Sequence, residues 1–207
     1  MTPEAVVYDI GNVLIEWNPE RFYDGRIGRE ARLRLFEEVD LLGMNLSIDA
    51  GAPFKATVFD LADRVPDWAD EIRMWYLNWI EMASPRIEHS ITLLRTLRAK
   101  GVPVFALTNF GDDSFAYAQT QYDFLGEFDQ AYVSGRLGCI KPDAAIYAAV
   151  EADCGIAAER LLFVDDKAEN IAAAQARGWQ GHVFAGAAGW ARALVEAGLL
   201  NRQEAGL

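Results

Sequence analysis

Several residue types are scarce in this sequence, and each scarcity excludes something. Cysteine occurs only as Cys139 and Cys154, with no CxxC pair. That rules out a disulfide framework and points to a reducing compartment, the cytoplasm. Histidine is limited to His89 and His182, which have no partner at metal-ligand spacing. Lysine occurs only at Lys55, Lys100, Lys141 and Lys167. Cations are outnumbered: 19 Lys and Arg face 31 Asp and Glu, a net charge of −12. Such a chain lacks the cationic excess that neutralises a nucleic-acid backbone. The deficit is uniform, with 8 basic and 14 acidic side chains in residues 16–84 and 11 and 17 elsewhere. No apolar run approaches the roughly 20 residues that cross a bilayer. Met1-Thr2-Pro3-Glu4 does not open a secretion leader. Nucleic-acid binding, membrane insertion and secretion are therefore not expected.

What is present is an ordinary globular composition, 52% hydrophobic and 24% charged over 207 residues. This length suits one large domain or a domain with an inserted module. Ala5-Val-Val-Tyr-Asp-Ile10 reads as a buried strand that ends in a loop at Gly11-Asn12. The next stretch is different. Asn18-Pro19 resembles an N-cap and a first-turn proline. Leu33, Leu35, Phe36 and Val39 have mostly helical spacing, and Phe54, Val58, Leu61, Ala62 and Val65 form one helical face. Trp68, Ile72, Trp75 and Trp79 predict a further helix from Asp67 to about Met82. Residues 16–84 thus read as all-helical, without a convincing strand.

From residue 86 onward, helices and strands alternate. Strands are predicted at Val102–Leu107, Gln130–Val133, Leu161–Val164 and His182–Phe184. This alternation predicts an α/β fold, a doubly wound parallel sheet with helices on both faces. The helical module, residues 16–84, interrupts a core of residues 1–15 and 85–207.

Open α/β sheets bind ligands at the carboxyl ends of their strands. Here those ends deliver Asp9, Thr108-Asn109 and Asp165-Asp166, and a loop before a helix delivers Lys141-Pro142. Each feature alone has an ordinary reading as turn chemistry, helix capping or surface punctuation. Together they converge on one rim of one sheet. Three carboxylates and a lysine suggest a divalent cation with an anionic substrate, and magnesium prefers such oxygen ligands. An aspartate can also serve as a nucleophile.

This ordered set resembles the haloacid dehalogenase-like hydrolase superfamily, in its subfamily with a helical type-1 cap. The matching segments are Val6-Val-Tyr-Asp-Ile-Gly-Asn-Val-Leu14, Ala106-Leu-Thr-Asn109, Lys141-Pro142 and Phe163-Val-Asp-Asp166. The resemblance implies a Rossmann-like core with a cap at 16–84. It implies that Asp9 is the nucleophile and a Mg2+ ligand, with the Gly11 carbonyl as a second ligand. Asp166 would bind the metal directly, and Asp165 directly or through water. Thr108 and the Asn109 backbone amide would hold a phosphate oxygen, and Lys141 would bridge Asp9 and the phosphate. Asn12 and Trp17, in the loop after the nucleophile, join the substrate-contacting set.

One departure stands out. Most phosphatases of the family carry a second aspartate two residues after the nucleophile, as general acid and base. Here that position is Gly11. The leading expectation is a Mg2+-dependent phosphatase that acts on a small phosphorylated metabolite, such as a sugar phosphate, through an aspartyl-phosphate. A metal-independent 2-haloacid dehalogenase with the same nucleophile is the alternative, since halide leaves without a proton. A non-catalytic binding protein that retains the fold is a third reading. The expected partner is a small anionic molecule, and the chain would be a monomer or homodimer. Trp68, Trp75 and Trp79 read as helix-bundle core, with Trp17 as the specificity candidate. His89 and His182 read as structural, although either could supply the missing acid if the fold brought it near.

Overall fold

A computed structural model describes residues 1–207. In chain order the elements are β1 (Ala5–Tyr8), β2 (Ile15–Trp17), α1 (Pro19–Ile27), α2 (Arg29–Glu38), α3 (Leu41–Asp49), α4 (Phe54–Arg64), α5 (Ala69–Leu77), α6 (Trp79–Met82) and β3 (Ala83–Arg86). There follow α7 (Glu88–Ala99), β4 (Val104–Thr108), α8 (Asp112–Gln121), β5 (Gln130–Val133), α9 (Ser134–Leu137), α10 (Ala144–Cys154), β6 (Leu161–Asp165), α11 (Ala168–Ala176), β7 (Gln180–Val183) and α12 (Ala187–Glu196).

Five strands form one parallel sheet in the order β5-β4-β1-β6-β7. Its strands are apolar because both faces are covered. In β1, Val6 and Tyr8 join one apolar cluster while Ala5 and Val7 join the other, and β4 and β6 alternate in the same way. Helices α7, α8 and α12 cover the first face through Leu94, Phe115 and Trp190, and α10 and α11 cover the second through Tyr147 and Ile171. The chain enters the sheet at its centre, so β1 has β4 on one side and β6 on the other. This is the topological switch point, where strand ends diverge and leave a crevice.

Helices α1 to α6 form the insertion. Asn18 caps α1 as its sequence suggests, accepting a hydrogen bond from the Arg21 N–H at 2.9 Å, with Pro19 at the first helical position. The insertion does not stand apart from the sheet. A single cluster of 41 buried residues runs from Leu35 and Trp75 in the insertion to Val6 and Leu94 in the core.

Two expectations are corrected. The segment 16–84 is not wholly without strands, because β2 and β3 overlap its two ends and pair antiparallel. The helix expected from Asp67 to Met82 is a 3-10 turn at Pro66–Trp68 followed by α5 and α6, broken at Asn78. Asn78 turns its side chain onto Glu81 at 2.8 Å, a local bond that competes with helix continuation. Helix α3 agrees with the all-helical reading but carries no stripe of its own that reveals it. Leu42 and Leu46 are 60% and 49% exposed while Leu41, Met44 and Ile48 are buried, so apolar residues lie on more than one side.

Candidate active site

β1 ends at Tyr8, and the following turn is tight: the N–H groups of Val13, Leu14 and Ile15 all point at the Ile10 carbonyl. Asn12 adopts the left-handed region, φ 56°, which asparagine tolerates better than most residues. Both ends of its side-chain amide are used. Its oxygen accepts from the Trp17 N–H at 2.9 Å, and its nitrogen donates to Asp166 at 2.9 Å. The turn after β1 is thereby tied to the turn after β6.

The centre of the site is Lys141. Its ammonium lies 2.8 Å from Asp9 and 2.7 Å from Asp165, above the Phe163 ring at 5.5 Å from the centroid. Burial opposes its charge, but the two carboxylates outweigh this and hold its pKa above the ordinary lysine value. Asn109 fixes the lysine's loop: its side-chain amide both donates to the Lys141 carbonyl (3.0 Å) and accepts from the Lys141 N–H (2.7 Å). Asp165 is fully buried and held by Lys141, by the Lys167 N–H at 2.8 Å and by Asn170 at 3.0 Å to each oxygen. Asp9 accepts from the Ile10 N–H at 2.7 Å. Burial, with Asp165 and Asp166 adding repulsion, pushes the Asp9 carboxyl up to about 7 against the pull of Lys141.

One carboxylate oxygen from each of Asp9, Asp165 and Asp166 lies within 4.8 Å of the other two. Such crowding of like charge is stable when a cation sits among the oxygens. The donor set is all oxygen, which suits a hard divalent ion such as magnesium. Asn170 Oδ1 is buried beside them with no hydrogen-bond partner, an open acceptor for a metal-bound water. The residues present therefore fit such an ion.

A cavity of about 440 Å³ opens above this cluster. Its floor is polar, with Asp9, Gly11, Asn12, Asn109, Lys141, Asp166, Lys167 and Asn170. Its walls are apolar, built by Ile15, Trp17, Trp79 and Phe110 and by Leu42 and Leu46 of α3. Trp79 packs against Trp17 at 5.7 Å and Phe110 at 5.2 Å. Trp79 is thus both packing core and cavity wall, while Trp75 is fully buried away from the cavity. Thr108 ends β4 and is 1% exposed, and it is not among the residues that line the cavity.

Sequence reading did not single out Asp49, Lys167, Asn170, Leu42 or Leu46, all of which line the cavity. Asn170 had a usable signal, lying five residues after Asp165 on the first turn of α11. Neither histidine reaches the cavity. His89 faces the Ala205 carbonyl at 3.1 Å and His182 stacks on Trp190 at 5.4 Å.

A parallel sheet entered at its centre, an inserted helical unit after the first strand, and carboxylates and a lysine at the strand ends define a class of hydrolases built on a Rossmann-like core. The model of the haloacid dehalogenase-like hydrolases matches residues 4–178, and the chain belongs to that family. It is 27% identical over 187 residues to the sesquiterpene phosphatase astK of Aspergillus oryzae, covering 87% of this chain and 89% of that protein. It is 31% identical over 96 residues to the drimenol cyclase drtB of Aspergillus calidoustus, of which it spans 18%. Its fold is similar to that of the haloacid dehalogenase-family enzyme bt-2542 of Bacteroides thetaiotaomicron (TM-score 0.69, 21% identity, 88% of this chain and 93% of that one). One structure of bt-2542 is a complex with magnesium and inorganic phosphate. The L-2-haloacid dehalogenase of Xanthobacter autotrophicus shares the fold at a TM-score of 0.62 and 19% identity, over 98% of this chain and 86% of that one.

Proposed function

We propose that this chain is a cytoplasmic, magnesium-dependent phosphatase that cleaves a small organic phosphate ester through an aspartyl-phosphate on Asp9. The observation that carries this reading is the set Asp9, Asp165 and Asp166 beside Lys141, with their oxygens within 4.8 Å. Asp9, Asp165, Asp166 and the Gly11 carbonyl would hold the ion, with Asn12 keeping Asp166 in place. When bound, it shields the repulsion between carboxylate and phosphate and stabilises charge on the transferring group.

The chain's own residues do the rest. The Asp9 carboxylate attacks phosphorus, and the bond to the ester oxygen breaks. Lys141, pinned between Asp9 and Asp165, keeps a donor beside the nucleophile for a phosphate oxygen, and the Thr108 hydroxyl and Asn109 N–H supply others. Residues 16–84 act as the cap over the core of 1–15 and 85–207. Trp17 and Trp79 exclude water from the reacting atoms. The apolar wall favours an ester with an apolar organic group over a sugar phosphate, because a sugar's hydroxyls would lose water there without gaining partners. The likeness to a sesquiterpene phosphatase agrees with that preference.

The test is phosphate release from a panel that pairs alkyl and prenyl phosphates with sugar phosphates, with magnesium or with EDTA. Expected is magnesium-dependent release, faster on the apolar esters, that falls at least about 10³-fold in Asp9→Asn. Halide release from 2-chloropropionate that survives EDTA would instead select the dehalogenase reading. Activity indifferent to both metal and substitution would remove both.

A further inference from the structure

Cleaving an alkyl phosphate ester requires a proton for the departing oxygen, because an alkoxide is a poor leaving group. The turn after β1 offers none, since Gly11, Asn12 and Val13 carry no titratable group. A Cβ at Gly11 would meet only Trp17 Cβ at 4.0 Å, so that space is open. Both histidines are elsewhere. The titratable side chains on the cavity wall are Asp9, Asp49, Lys141, Asp166 and Lys167. Asp9, Lys141 and Asp166 are engaged in the cluster at the strand ends. Lys167 is exposed at the rim and bears on Asp49 itself. Asp49 remains, and it comes from the insertion, across the cavity from the strand ends.

Asp49 is held in place. Its carbonyl accepts from Ser134 Oγ at 2.6 Å, and the same hydroxyl oxygen accepts from the Phe110 N–H at 2.8 Å. The last turn of α3 is thereby fastened to the loop after β4 and to the start of α9. One turn earlier, Asn45 donates to an Asp49 carboxylate oxygen at 2.9 Å and accepts from the fully buried Trp75 indole at 3.1 Å. A carboxylate on the insertion with its own positioning chain is more than surface charge. On the phosphatase reading above, we propose that Asp49 is the general acid and base of the reaction.

Its surroundings suit both roles. Burial pushes its carboxyl up to about 7, and Asp9 adds to the rise, while the Gly111 N–H, Lys167 and Lys141 pull the other way. A group that titrates near the working pH can both give and take a proton. In the first step the Asp9 oxygen bonds to phosphorus and the electron pair of the broken P–O bond stays with the ester oxygen. That oxygen takes the Asp49 proton and leaves as an alcohol. In the second step a water oxygen attacks phosphorus, and the Asp49 carboxylate takes the proton that this water loses. The P–O bond to Asp9 breaks, returning its carboxylate and releasing phosphate.

The experiment compares first-turnover rates on p-nitrophenyl phosphate, whose leaving group needs no proton, and on octyl phosphate, whose leaving group does. In Asp49→Asn the aryl-to-alkyl rate ratio is expected to rise about 100-fold or more, and Asp49→Glu to recover part of the alkyl rate. A ratio that stays within about threefold of the parent's, whether both esters slow together or neither does, overturns the role of Asp49 while leaving the phosphatase reading intact. A parent inactive on both esters and on every phosphate of the panel overturns that reading and this one with it. Should the asparagine variant not fold, Asp49→Ser is read in the same way.

Discussion

Asp9, Asp49 and Asp166 line one cavity, Asp165 is buried across Lys141 from Asp9, and the four are held differently. Asp165 accepts from Lys141, Asn170 and the Lys167 N–H, Asp9 shares Lys141, Asp166 is tied to Asn12, and Asp49 is held by Asn45. Three of them were legible in the sequence because each follows an apolar strand, and strand ends are where side chains of a parallel sheet meet ligands. Asp49 was not, because it ends a helix whose own pattern is obscure and whose placement depends on Ser134, 85 residues later. Its environment has a measurable consequence for stability. Between its usual value of 3.8 and about 7 the folded protein holds a proton on Asp49 that the unfolded chain has lost. The contribution of Asp49 to stability therefore falls as pH rises through that window and is a full penalty above it. Asp49→Asn removes the penalty. The melting temperature of the variant relative to the parent, measured in EDTA, should rise from pH 5 to pH 8. Each kcal/mol recovered is worth about 2–4 °C in a chain of this size. A difference that is flat with pH would place the titration elsewhere.

At the scale of elements, helix α3 depends on an absent side chain on the core. A Cβ at Gly111 would fall 2.6 Å from Ile48 Cγ2. Gly11 is the contrasting case, with open space and no unusual backbone angle. Urea titration should separate the two. Gly111→Ala should cost about 1–3 kcal/mol by overpacking against Ile48, and should lower kcat because α3 carries Asp49. Gly11→Ala should leave stability unchanged or raise it by about 0.4–1 kcal/mol, by narrowing the unfolded ensemble. The sequence could not distinguish these glycines, because Gly111 is crowded by Ile48, far away in the chain, while Gly11 meets only Trp17 Cβ at 4.0 Å. Elements with one clear face, such as α4 and α7, were legible for the opposite reason: Val58 and Ala62, or Ile91, Leu94 and Leu97, show their burial in their spacing. The short strands β2 and β3 lack that spacing and are held by each other, with Ile15 opposite Arg86 and Trp17 opposite Ala83.

At the scale of the molecule, a parallel sheet with helices on both faces was readable because alternation of strand and helix leaves few topologies open. How the insertion meets the core was not readable, since no local pattern encodes a contact such as Trp79 with Phe110 at 5.2 Å. The shared cluster of 41 residues predicts that both parts melt together. Magnesium should raise the single transition in the parent, by mass action on the folded state, and should do so far less in Asp166→Asn. Calorimetry with tryptophan fluorescence checks both, because Trp68, Trp75 and Trp79 report from the insertion and Trp190 from the core. Two separate transitions would contradict the shared cluster.

The seat of α3 also bears on modularity. Its fit to the core is made by bare backbone at Gly111 and by one hydroxyl at Ser134. Neither lies in residues 16–84. A chimera that receives a foreign insertion on this core, or lends this one to another, would have to exchange the loop at 109–111 and the start of α9 at Ser134 along with it. The insertion is continuous in sequence, yet the unit that could be transplanted is not.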